Sequence, residues 1–115
     1  MTYFKSDFHE QQTNLLLKKL GRSTVTEDLE YGVFAYVTGA TLKAEKVEQA
    51  IDGEGVDIEK LYEIIDVFSS SEKAMIRFAL QCFNSSIDDI KLSEVMRSLD
   101  DQNTQVVKQA INILY

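Results

Sequence analysis

The chain has 115 residues, 44% hydrophobic and 27% charged, with no proline and nineteen acids against twelve Lys and Arg for a net charge of −7. That length suits one domain around one core, and the composition excludes a disordered chain and, with no apolar run near ~20 residues, a bilayer-spanning helix. The negative balance argues against direct nucleic-acid binding, which needs a local positive field.

The first helix is predicted from about Asp7 to Leu20. Ser6 or Asp7 supplies the cap, and Glu10 follows at capping-box spacing. Phe8, Gln12, Leu15, Leu16 and Leu20 form the helical stripe. Gly21 after Lys18 and Lys19 is a stop signal; these lysines and Arg22 are the densest basic cluster, placed where cations complement a helix C-terminus. A second helix starts at Thr26 as cap and ends at Gly39, with Leu29, Val33, Phe34, Tyr36 and Val37 facing inward. Tyr31 to Thr38 is rich in aromatic and β-branched residues, so a strand competes there. The stripe reaching back to Leu29, and the lack of strict alternation, favour helix.

A short third segment, about Lys43 to Ile51, puts Ala44, Val47 and Ile51 on one face. It ends at the loop Asp52-Gly53-Glu54-Gly55. The fourth, Asp57 to Phe68, has the clearest pattern: Ile58, Leu61, Ile64, Ile65 and Phe68, with Asp57 as cap. The fifth starts at Ser71-Glu72 and runs to Phe83 with a broad apolar face of Ala74, Met75, Phe78, Ala79, Cys82 and Phe83, as a central helix would have. Asn84-Ser85-Ser86 breaks it. A short turn from Ile87 to Ile90 precedes a sixth segment, Glu94 to Leu99, capped by Ser93. The seventh, Asn103 to Leu114, carries Val106, Val107, Ala110, Ile111 and Leu114. Linkers are short, so sequence neighbours pack together. The expected architecture is all-α: a compact single domain, residues 1–115, of six to seven short helices.

Motifs that would carry chemistry fail on ligand count. Asp52 to Glu59 has the flavour of a calcium loop, yet aligning Gly55 at position 6 puts Ala50 and Leu61 at the anchoring positions 1 and 12. A glycine turn followed by a capping aspartate accounts for it. His9 is the only histidine and Cys82 the only cysteine. A Cys–His nucleophile would need the two side by side, and Cys82 falls on the apolar face of its helix, where a thiol is inert packing. His9 is expected either on the first-turn surface or as a hydrogen-bond partner for the next helix. A lone cysteine also fits a reducing, cytoplasmic compartment, and Met1 to Glu10 lacks the pattern of a signal peptide. Asp88-Asp89 and Asp100-Asp101 sit at expected helix starts, where negative charge is stabilising. Gly32 lies inside the second helix and suggests close helix–helix approach. No cofactor or metal site is expected.

Two resemblances bear on fold and source. Leu99 to Asn103, followed by Val106, Lys108, Ala110, Ile111 and Leu114, looks like the turn and second helix of a HEAT repeat. It occurs once, and a solenoid needs about three, so a local turn is preferred. Phe4-x-Ser6-x-Phe8-His9, the tyrosine-bearing stretch Tyr31 to Thr38, the junction Asp66 to Lys73 and the closing Leu99-Asp100-x-x-Asn103 segment with Ala110 and Ile111 together resemble a family of small uncharacterised proteins. That family is found in low-GC Gram-positive bacteria and their phages. The resemblance covers nearly the whole chain and implies a cytoplasmic protein, phage or prophage encoded, without cofactors; it transfers no functional residue.

The expected function is therefore a non-enzymatic interaction module that binds another protein or a second copy of itself. The candidate partner-binding residues are Tyr3, Phe4, Phe8 and His9, with packing of the arm on the bundle as the competing role. The alternative is an acidic inhibitor that mimics nucleic acid.

Overall fold

A computed structural model describes residues 2–53, 55–84 and 90–115. Among them are seven α-helices and one two-stranded hairpin, so the all-α expectation holds.

Capping explains where most helices begin. Ser6 accepts from the His9 N–H at 3.0 Å and opens α1, Asp7–Lys19. The third helical position is thus His9, not Glu10, and the expected capping box is out of register. Asp28, rather than Thr26, caps α2, Leu29–Gly39, by accepting from Tyr31 N at 3.4 Å. After Leu42 the chain forms α3, Ala44–Val47, and a 3₁₀ turn over Glu48–Ala50. It then extends into the hairpin of β1, Ile51–Asp52, and β2, Gly55–Val56, with Ile51 opposite Val56. The third segment is therefore shorter than expected, although Ala44, Val47 and Ile51 are all buried. Asp57 caps α4, Ile58–Ile65, as its sequence announces. α5, Ser70–Phe83, begins one residue before Ser71-Glu72: Ser69 is the cap, and Glu72 completes a capping box with it. α6, Leu92–Arg97, contains Ser93 inside the helix and has no side-chain cap. Asp100 caps α7, Asp101–Leu114. The Asp88-Asp89 pair and most of the turn expected from Ile87 to Ile90 lie outside the described residues.

The centre of the fold is α2, not α5. Every residue from Gly32 to Gly39 is buried, and the helix packs on α1, α5 and α7. A helix covered on all sides is apolar all round, which is why Tyr31 to Thr38 also reads as a strand. Two glycines permit the close packing. A Cβ on Gly32 would fall inside the Val25 carbonyl, so the close approach there is from the α1–α2 loop. A Cβ on Gly39 would lie 2.7 Å from Thr13 Oγ1 and 2.9 Å from Thr13 N. Helix–helix contact thus occurs at Gly39 instead of Gly32.

The inward face of α1 is His9, Gln12, Thr13, Leu16, Leu17 and Leu20. Phe8 and Leu29, expected inside, are 47% and 41% exposed, because both sit in the first turn of their helices, off the faces that meet. No helix among the described residues is long and apolar enough to cross a membrane.

Candidate functional site

The four N-terminal candidates separate into two groups. Phe4 and His9 face the body, where they build a latch; Tyr3 and Phe8 face solvent.

His9 is fully buried, and both ring nitrogens are engaged. Nδ1 accepts from the Lys5 backbone N–H at 3.2 Å, and Nε2 lies 2.8 Å from the Tyr36 carbonyl of α2. A nitrogen that accepts carries no proton, so these partners assign the neutral tautomer with hydrogen on Nε2. Burial drives the His9 pKa down to about 4; the bond to the Tyr36 carbonyl opposes this, and the Lys5 charge reinforces it. The "hydrogen-bond partner for the next helix" expectation is thus correct, and the surface position is not.

Phe4 closes the cluster. Its ring meets His9 edge-on at 5.1 Å and Tyr36 at 5.6 Å, while His9 and Tyr36 lie 5.0 Å apart. The Tyr36 hydroxyl donates to the Tyr3 carbonyl at 2.5 Å, and burial pushes the phenol pKa upward. Lys5 Nζ donates to Asn103 Oδ1 at 2.8 Å, tying the arm to α7; burial lowers the Lys5 pKa, opposed by the Asp100 charge. The arm is therefore bonded to α1, α2 and α7 at once.

One helical turn beyond His9, Gln12 does comparable work. Its buried Oε1 accepts from Ala44 N at 2.8 Å and so caps α3 from across the molecule. With the latch and this bond fixing its inner side, α1 presents Phe8, Gln11 and the half-buried Leu15 on another side. Helical periodicity puts these three in one line.

Cys82 is half-buried. It helps line a groove of about 190 Å³ with Phe78, Gln81, Ile111, Leu114 and Tyr115, and His9 is not among the walls. Burial pushes the thiol pKa up to about 12, which removes the thiolate a nucleophile needs. Where the sequence has only the flavour of a calcium loop, the expected turn and cap form: Asp52 Oδ1 accepts from Gly55 N and Asp57 Oδ1 from Lys60 N, each at 3.1 Å. Ala50 and Leu61, at the two anchoring positions, are buried apolar side chains.

Sequence patterning did not find Gln12, nor an open groove between Tyr31 and Phe83. The only available signal for Gln12 was its place on the α1 stripe; for the groove there was none, because its walls come from three separate elements. No family model, curated protein or solved structure matches the chain.

Proposed function

We propose that this chain is a non-enzymatic interaction module that binds a protein partner, or a second copy of itself, through the exposed side of α1 centred on Phe8. One observation carries this: an aromatic ring 47% open to water projects from a helix whose buried residues His9 and Gln12 anchor it to α2 and α3. A rigid, half-exposed aromatic suits a binding anchor, since little side-chain freedom is lost when it is covered. Tyr3, 37% exposed, extends the same terminal region. Phe4 and His9 support that surface from beneath and do not contact the partner. The buried His9 and the protonated Cys82 favour a binding role over catalysis. Following the family resemblance, we take the partner to be bacterial and the chain to be phage or prophage encoded and cytoplasmic.

The nucleic-acid-mimic alternative has less support. All seven helices carry an acid in the first turn, where it stabilises the helix through the macrodipole. Much of the charge is thereby accounted for without a ligand.

The test is affinity capture from a lysate of a low-GC Gram-positive bacterium, alongside light scattering of the purified chain. Wild type retains a discrete partner or self-associates, and Phe8→Ser loses it at an unchanged melting temperature. A strict monomer that captures nothing, or a Phe8→Ser variant that behaves as wild type, contradicts the assignment.

A further inference from the structure

A second surface goes beyond that role and shares no residue with the N-terminal face. An open groove of about 310 Å³ lies between the start of α2, the hairpin and the end of α5, lined by Tyr31, Asp52, Gly55, Val56, Asp57 and Phe83. Its wall is aromatic. The Tyr31 and Phe83 rings sit 5.2 Å apart at 49°, and the buried Phe34 braces Phe83 edge-on at 5.4 Å. Its rim is anionic: Asp52 and Asp57 are both exposed.

The walls are set before any ligand arrives. Turn hydrogen bonds hold both aspartates. The hairpin comes so near the Tyr31 hydroxyl that a Cβ on Gly55 would lie 3.0 Å from it. Aromatic faces attract cations through the ring quadrupole, and flanking carboxylates add direct Coulomb attraction. The molecule already contains this pairing once: the Arg22 guanidinium lies 5.5 Å from the Tyr31 ring centre and is held by Asp28 at 3.0 Å. A planar guanidinium can stack on a ring and pair with a carboxylate together, which a compact ammonium does less well.

We propose that this groove receives an arginine side chain presented by a protein partner. With Arg22 already over Tyr31, the ring of Phe83 takes the face of the guanidinium, Tyr31 bounds it from the side, and Asp52 and Asp57 take its N–H edge. The net charge of −7 favours approach of such a basic segment.

The experiment uses the full chain, ¹⁵N-labelled, titrated at low salt with three capped tripeptides, Gly-Arg-Gly, Gly-Lys-Gly and Gly-citrulline-Gly. Citrulline keeps the shape of arginine and lacks its charge. The arginine peptide shifts the amides of Tyr31, Gly55, Val56 and Phe83; the lysine peptide binds more weakly and the citrulline peptide does not bind. Asp52→Asn with Asp57→Asn keeps both turn acceptors, so the fold survives, yet arginine affinity falls roughly fivefold or more. Tyr31→Leu, with both carboxylates intact, also weakens it. Equal binding of citrulline or lysine, shifts that map elsewhere, or an unchanged affinity in the double variant overturns the proposal. None of those results touches the Phe8 assignment, which the capture experiment reads separately.

Discussion

His9 makes two hydrogen bonds that only a neutral imidazole can make together, and this gives the chain a defined response to acid. Its pKa is about 4 in the fold against about 6.5 in an unfolded chain. Between those values the unfolded state binds more protons, so stability rises with pH. The contribution is complete above about pH 6.5 and is lost as pH falls toward 4, for a total of about 3 kcal/mol. Urea midpoints from pH 7 to 4.5 check this, with the wild-type slope exceeding that of His9→Gln. Equal slopes would show that the ring is not held neutral. Glycines give a second prediction at this scale. Gly32→Leu drives a side chain into the Val25 carbonyl, and Gly39→Ala presses on the Thr13 backbone. Each costs roughly 2 kcal/mol or more, as overpacking does when the neighbour is backbone. Gly53→Ala meets nothing within 4 Å and leaves the melting temperature within about 2 °C of wild type. Thermal melts of the three variants decide between packing and mere helix propensity.

Among the elements, the strongest dependencies are bonds that join one element to another. Gln12→Ala strands the buried Ala44 N–H, a loss of about 1–3 kcal/mol. Ser69→Ala removes an exposed capping box for about 1 kcal/mol. Denaturant titration should rank Gln12→Ala as the more damaging. Tyr36→Phe deletes the donor to the Tyr3 carbonyl, so amides in residues 2–5 exchange faster while the helices keep their protection. Unchanged exchange in residues 2–5 of that variant would mean that Phe4 and the two Lys5 bonds hold the arm without the hydroxyl. Caps and periodicity made the start of α4, capped by Asp57, and the end of α7 at Leu114 legible, while α4 stops three residues before the expected Phe68 and α7 starts two before Asn103. α1 was legible as a helix but partly rotated: Gln12, Leu16 and Leu20 of the expected stripe are buried, while His9 and Thr13 of the true inner face are polar, and hydropathy sees only hydrocarbon. α2 was ambiguous because burial on all sides erases periodicity. The hairpin was unreadable, its strands being two residues each, too short for any alternation to show.

At the scale of the whole molecule, a radius of gyration of 12.5 Å is what close packing of about a hundred residues gives. The body is compact enough to hold α1 rigidly against α2. The sequence showed this compactness through short linkers and seven helical segments. It did not show which candidates would remain on the surface, because Tyr3, Phe4, Phe8 and His9 look alike as an aromatic cluster. Contacts with Tyr36, 27 residues beyond His9, sort the buried pair from the exposed pair: its carbonyl bonds His9 and its ring packs on Phe4. The central claim is that the exposed member Phe8 is where this protein meets its partner. The most direct measurement is photo-crosslinking in lysate, with benzoylphenylalanine in place of Phe8 and, as control, of the exposed Gln105 on α7. A discrete adduct from position 8 and none from position 105 is the predicted result. No adduct at position 8, or the same adduct from both, contradicts it.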